Sequence, residues 1–397
     1  MGEPLSSLDV SNVFVYVGDA VRWDHTPRSV LDRGLSSKSI AASTHSPTSF
    51  ASLVTGLHPP RHGVDDFTNR LADETYRLFD VPGYETRFVN SVRDTPAGTD
   101  TDPIFSVLDV RPPAVDEPFR DIEEPFVLME RGPGGHAPYG DFDGSAWDYF
   151  ERRGAQPASA YREEYARSVD RDAALFAERL EDLADRGLRE DTLVVYTADH
   201  GELLGELGLL GHNGPMHPAL VEVPAVFVHP DLSTGRLTNG VVRHVDLLPT
   251  VLDCLDESGG PTDGTSIASG PARDRGLSFY RSSLPTGPIA GFSGALAYDG
   301  VWELDGGHVF ARTPTHERLA AVLGTLSKSP KRSYLRANLS KAIGAYAAGH
   351  RTYGRPSIDA DDARTLVAET RRGESSGRQI ELSEDQRTHL EDLGYLS

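Results

Sequence analysis

The sequence predicts an α/β fold: a mainly parallel central sheet flanked by helices on both faces, with a small antiparallel appendage toward the C-terminus. Three observations lead there. Short, continuous apolar runs of strand length recur along the first 230 residues. Helical periodicity lies between them, and the pattern changes after a glycine-rich break. Unbroken β-branched and apolar runs mark strands buried on both faces, the usual state of a parallel sheet covered by helices.

The first run, Val13-Phe14-Val15-Tyr16-Val17, ends at Gly18-Asp19; Thr26-Pro27 then reads as a helix cap followed by proline at the first helical position. Pro125-Phe126-Val127-Leu128-Met129 is a second strand candidate. Between Tyr165 and Arg186, Val169, Phe176, Leu180 and Leu183 share one face of an amphipathic helix. Thr192 to Thr197 and Pro224 to Val228 are two further buried strands. After the break at Gly259-Gly260, Ala295–Tyr298 and Val301–Leu304 flank Asp299-Gly300, which reads as a two-residue hairpin turn, with a second turn at Asp305-Gly306-Gly307. The charged, Gly/Ser-rich stretch 371–378 reads as a flexible link, and Ser383 with Gln386 as a capping box for a last helix ending at Gly394. The expected organisation is a catalytic α/β domain over 1–258, a smaller subdomain with hairpins and a helix over 259–370, and a link plus terminal helix over 371–397.

Composition narrows the setting. There are 60 acidic against 39 basic residues, a net charge of −21, and only Lys38, Lys328, Lys331 and Lys341 among the basic residues are lysine. Such a surface suits a halophilic, archaeal-type protein, because concentrated salt screens the self-repulsion. It offers no basic face for nucleic acid. No stretch approaches the roughly 20 apolar residues of a membrane span. The start, Met1-Gly2-Glu3-Pro4-Leu5, does not read as a secretory signal, so a cytoplasmic protein is expected. Cys254 is the single cysteine, in an apolar helical run, which excludes an intramolecular disulfide and predicts a buried structural thiol.

In α/β sheets ligands gather beyond the carboxyl ends of strands. Asp19 stands just past one such end and Asp199-His200 past another. Two hard carboxylates and an imidazole converging there suit a divalent cation. Asp199-His200-Gly201-Glu202 is the sharper motif, since glycine after the pair allows a tight turn against a ligand.

Several segments, in order, resemble the sulfatase family of the alkaline-phosphatase-like superfamily. Gly18-Asp19-Ala20-Val21-Arg22-Trp23-Asp24-His25 is similar to its opening. Ser46 to Gly56 with Pro60-Arg61-His62-Gly63 is similar to its nucleophile segment, His136-Ala137-Pro138-Tyr139 to its His-x-Pro-Tyr element, and Thr197 to Glu202 to its second metal motif. His212 falls thirteen residues after Asp199, where the family commonly places Lys or His. Val223-Pro224, His244 to Thr250 and Leu390 to Leu396 resemble later landmarks.

The resemblance implies a metal-dependent ester hydrolase with one divalent ion, calcium by analogy, with Mg, Mn and Zn open. Asp19, Asp199, His200 and Ser46 would be its ligands. Ser46 falls on the nucleophile position, with Thr44 and Thr48 as neighbouring alternatives; coordination would lower the pKa of its hydroxyl. His136 and His212 would bind the transferred group and protonate the leaving oxygen. Arg22 would neutralise substrate charge or pair with Asp24, and His217 and His244 read as structural. Departures matter as well. The classical enzymes convert Cys or Ser to formylglycine in a motif with Pro and Arg where this chain has Thr48 and Phe50, so formylglycine is not expected. Ala20 replaces a second Asp. The expected activity is cleavage of a small-molecule or glycan sulfate ester. The alternatives are a phosphatase, phosphodiesterase or phosphoryl transferase acting through unmodified Ser46, and a catalytically weak binding protein that keeps the fold.

Overall fold

The computed structural model describes residues 5–392, apart from 93–97, 100, 116, 269, 271, 284–293 and 376. The expected helix end at Gly394 lies outside these residues. Six main strands build the central sheet: β1 (Asn12–Gly18), β2 (Leu35–Ile40), β3 (Glu85–Asn90), β4 (Phe126–Gly132), β5 (Thr192–Ala198) and β6 (Glu222–Val228). Their spatial order is β2-β6-β5-β1-β4-β3, and the two-residue strands Gly235–Arg236 and Val242–Arg243 pair with β2 to complete eight.

β3, β4, β1 and β5 run parallel. β6 is antiparallel to both β5 and β2, so the sheet is mixed. The reason is the connection. Between Ala198 and Glu222 the chain makes a small hairpin pairing Leu203–Leu204 with Leu210–Gly211, a 3-10 turn and a four-residue helix, Pro218–Val221, but no long crossover helix. A parallel neighbour would need a crossover of a dozen or more residues that carries the chain back along the sheet.

Alternation along β1 divides the core into layers. Val13, Val15 and Val17 pack with Phe50, Leu53 and Val54 of α1 (Ser46–Thr55). Phe14 and Tyr16 face the other way, onto Phe176, Leu180 and Leu183 of α2 (Ala158–Asp185). All ten residues of α1 are buried. Each large apolar side chain so covered contributes roughly 1.5–3 kcal/mol over exposure. α3 (Leu247–Cys254) lies in the α1 layer, and burial pushes the Cys254 thiol up to about 12, as expected for a structural thiol. The Thr26-Pro27 start differs by one residue: Pro27 is the cap, and the Thr26 hydroxyl donates to Arg22 O instead.

The second sheet is antiparallel throughout: β7 (Gly276–Ser283), β8 (Ala295–Glu303), β9 (Gly306–Ala311) and β10 (His350–Gly354). The turn lies between Glu303 and Gly306, close to the second one expected. Asp299-Gly300 is not a turn. It sits mid-strand in β8, where a Cβ on Gly300 would come 2.5 Å from the Trp302 Nε1, and Asp299 receives Arg371. The glycine serves a close approach, and the aspartate an ion pair, so the local turn signal is overridden by packing. α4 (Thr315–Lys328), α5 (Arg332–Ala337) and α6 (Leu339–Ala347) follow β9 and pack on one face of this sheet.

β7 buttresses the segment leading into α1: Phe279 N donates to Ala42 O at 2.8 Å, and Ser278 Oγ donates to Ala41 O. The expected flexible link is tied down. Ser375 N donates to Pro60 O at 2.7 Å, Gly377 N to Gly63 O at 2.8 Å, and Arg378–Gln379 pairs with Asn69–Arg70. The capping box forms as expected, with Ser383 N to Gln386 Oε1 at 3.0 Å and Gln386 N to Ser383 Oγ at 3.2 Å, opening α7 (Glu384–Asp392). Among the described residues no helix is long and apolar enough to cross a membrane.

Candidate active site

Because β1, β4 and β5 are parallel and in register, Gly18 opposite Gly132 and Ala198, their carboxyl ends present one row of residues. That register brings Asp19 beside Asp199-His200 across 180 residues of chain. All three are fully buried, and each offers a ligand atom within 4.8 Å of the other two.

The Asp199 carboxylate is oriented by backbone donors. Its Oδ1 accepts from Ala20 N and His200 N, each at 2.9 Å, while Oδ2 has no hydrogen-bond partner among the described residues and lies 3.5 Å from His200 Nε2. Ala20 can make that contact because it sits at φ +57, a left-handed conformation that a non-glycine residue adopts at a cost. Tyr165 Oη holds it there by donating to Ala20 O at 2.7 Å. Asp19 Oδ1 is likewise unpartnered, whereas Oδ2 accepts twice from Arg131. Buried carboxylate oxygens without partners are costly and fit a cation between them.

Arg131, at the end of β4, is the residue that sequence reading missed. Fully buried, its guanidinium also reaches Asp102 Oδ2 at 3.0 Å. Two buried carboxylates, Asp19 and Asp102, pair with one buried guanidinium, and a third, Asp199, lies beside Asp19. The excess negative charge again suits a divalent ion. Phe50, which stands where the resembled motif has arginine, lies under the Arg131 guanidinium, 5.7 Å from ring centroid to carbon. An arginine is therefore present at this point, delivered by a strand instead of by α1.

Ser46 is the first residue of α1, fully buried, with its Oγ 3.1 Å from His200 Nε2. His200 Nδ1 is 2.9 Å from Gly201 O, so Nδ1 carries the proton and Nε2 is the acceptor facing Ser46. The N-terminus of a ten-residue helix favours negative charge developing at this oxygen. Thr48 points elsewhere, its hydroxyl donating to Asp65 O at 2.9 Å, and the Thr44 hydroxyl lies at 3.5 Å from His212 O.

The ring of His212 lies 4.4 Å from that of His200 and 5.3 Å from that of His136, so the two expected histidines join the group. Nδ1 of His136 donates to Ala137 O at 2.8 Å, and Nδ1 of His212 is 3.4 Å from Glu202 Oε2. Burial lowers His136 to about 4, partly countered by Asp19, and pushes His212 well below its ordinary value, aided by the neighbouring His200. Burial, the largest single influence, would raise the Asp19 carboxyl, but the Arg131 guanidinium together with His136 and His200 holds it below the ordinary range. Asp199 is raised by burial.

Arg22 stands apart. Its guanidinium is taken up by Asp24 at 2.7 Å, Glu206 at 3.0 Å and Glu202 O at 3.1 Å, so pairing with Asp24 is the role its contacts describe. His244 and His217, read from the sequence as structural, both contact backbone groups. His244 bridges Ala42 N and Ala198 O, and His217 Nδ1 accepts from Ala219 N at the cap of a short helix.

Known proteins share this sequence and architecture. Residues 119–257 match the sulfatase family profile. The chain is 32% identical over 419 aligned residues, with 99% of each chain covered, to the low-salt glycan biosynthesis sulfotransferase Agl7 of Haloferax volcanii. In three dimensions it resembles the phosphonate monoester hydrolase of Agrobacterium radiobacter, with a TM-score of 0.59 at 16% identity over 91% of this chain and 96% of that one. It also resembles a 2-O glycosaminoglycan sulfatase, with a TM-score of 0.55 at 15% identity over 90% of this chain and 100% of the other. These structural likenesses establish the alkaline-phosphatase-like fold, and the full-length likeness in sequence establishes the lineage: the chain belongs to the sulfatase family.

Proposed function

We propose that this protein cleaves a sulfate ester through the unmodified hydroxyl of Ser46, at a divalent cation held by Asp19, Asp199 and His200. The observation that carries the reading is the placement of Ser46 Oγ, 3.1 Å from His200 Nε2, in a group with two buried carboxylates that each leave one oxygen without a hydrogen-bond partner among the described residues. A bound divalent cation would lower the pKa of the serine hydroxyl and neutralise oxygens of the ester.

The chain's own groups do the rest. Ser46 Oγ gives up its hydroxyl proton and attacks sulfur, a new O–S bond forms, and the bond from sulfur to the leaving oxygen breaks as that oxygen takes up a proton, so the alcohol leaves neutral. His136 and His212 flank the transferred group. Their buried imidazoles are neutral in the free protein, and the negative charge of the bound ester raises their affinity for the proton that passes to the leaving oxygen. Water then attacks the serine sulfate, releasing sulfate and restoring the hydroxyl. The Haloferax relative is named a sulfotransferase of glycan biosynthesis, which supports a sugar hydroxyl as acceptor in place of water in the second step.

A phosphate ester is the second reading, favoured by Thr48 and Phe50 in place of the modification motif. Aryl sulfate and aryl phosphate assays with added Ca, Mg, Mn or Zn separate the two. Ser46→Ala should lower kcat by at least about a thousandfold while keeping metal affinity, and Asp199→Ala should lose both. Turnover by Ser46→Ala, or a Ser46 peptide mass matching formylglycine, overturns the assignment. A protein that turns over no ester and gains no thermal stability from any of the metals is a binding protein.

A further inference from the structure

Beside the cluster of histidines, the central domain and the second sheet's helices enclose a cavity of about 310 Å³, at the small end of ligand-binding cavities. It is continuous with the candidate active site through His136, His212 and Glu202. Aromatic walls come from both sides: Trp147 and Phe150 from the central domain, Tyr280 from β7, Tyr334 from α5 and Tyr346 from α6.

Its charge reverses that of the protein. The chain has only four lysines, yet Lys328 and Lys331 both line this cavity, against Glu202 as the one carboxylate among the described lining residues. Lys331 is held close: a Cβ on Gly211 would lie 2.1 Å from its Nζ, and that nitrogen stands 4.6 Å over the Phe150 ring. Lys38, by comparison, is paired with Glu222 at 3.0 Å. Among the described residues no carboxylate comes within ion-pair distance of Lys331 Nζ; Glu202 acts on it only from farther away. Lys331 is half-buried, and a partly desolvated ammonium facing a cavity without a paired carboxylate is better satisfied when a ligand supplies the counter-charge. Burial accordingly lowers the Lys331 pKa, with Glu202 opposing in part.

We propose that this cavity holds the leaving group of the ester and that Lys331 selects a sugar ring bearing a second anionic group, such as a carboxylate. The inference rests on the ester chemistry proposed at Ser46. The aromatic walls suit the C–H face of a sugar ring, and the Lys331 ammonium would form a charge-assisted hydrogen bond with the anion.

The test is a binding measurement that needs no turnover. Calorimetry compares methyl glucuronide with methyl glucoside on the wild-type protein, on Lys331→Met and on Lys331→Arg. The wild type should bind the glucuronide about tenfold or more tightly than the glucoside; Lys331→Met should abolish the preference and Lys331→Arg should keep much of it. Equal or absent binding by the wild type overturns the inference, as does a preference that survives in a folded Lys331→Met. A wild type that binds the glucuronide selectively but cleaves no sulfated or phosphorylated sugar keeps the pocket and removes the ester reading. Turnover without selectivity does the reverse.

Discussion

Arg131 donates to a single oxygen of Asp19 twice, from Nε at 3.1 Å and Nη2 at 2.6 Å, and the other oxygen of that carboxylate has no hydrogen-bond partner among the described residues. The guanidinium thus fixes how Asp19 presents itself. Its third contact, to Asp102, ties this arrangement to a loop and on to α7, where His389 lies 3.5 Å from Asp102.

Replacing Arg131 by Met should leave Asp19 and Asp102 buried without their cation and destabilise the fold by about 3–5 kcal/mol. Added divalent cation should recover part of the loss, because it supplies the missing positive charge. Denaturant unfolding with and without metal measures both. An unchanged midpoint in Arg131→Met would show that the ion pair contributes little.

Gly134→Ala should disable the site without touching a reacting group. Gly134 sits at φ +56, and a Cβ there would lie 1.9 Å from Asp19 O, a backbone atom that cannot swing aside. The loop that carries His136 must shift, so kcat should collapse and stability fall by more than about 2 kcal/mol. Near-normal turnover by this variant would mean that the loop position is not critical.

Acid should unfold the protein in part through His62. Its Nδ1 accepts from Val64 N at 3.1 Å and its Nε2 lies 3.0 Å from Ser52 Oγ, an arrangement that requires the neutral ring. Burial lowers it to about 3, with His58 adding a little. The unfolded chain binds a proton near pH 6.5 that the folded chain refuses, so the contribution is complete above that pH and declines as pH falls toward 3. Between pH 7 and 5 this histidine alone should account for about 2 kcal/mol of lost stability. His62→Gln, although less stable at pH 7, should lose that much less over the same interval. An identical pH slope in the two proteins would refute the account.

The sequence by itself determined the strands that end in Asp19 and in Asp199-His200, and the capping box at Ser383. Each is written locally, as an apolar run meeting a polar residue or as a cap four residues long. β2 was not legible in Leu35-Ser36-Ser37-Lys38-Ser39-Ile40, because three buried serines replace the apolar alternation that marks a strand. Nor did Arg131 stand out. It ends a strand like any polar residue, and its partners Asp19 and Asp102 lie 112 and 29 residues away. Asp299-Gly300 carried a turn signal that the packing of Trp302 and the pairing with Arg371 overruled. Tertiary structure alone decided the direction of β6, the pairing of Arg131 with Asp19, and the approach of Lys331 to the histidines. These are long-range contacts, whose partners are chosen by burial and charge neutralisation in the folded molecule, and no local pattern along the chain records them.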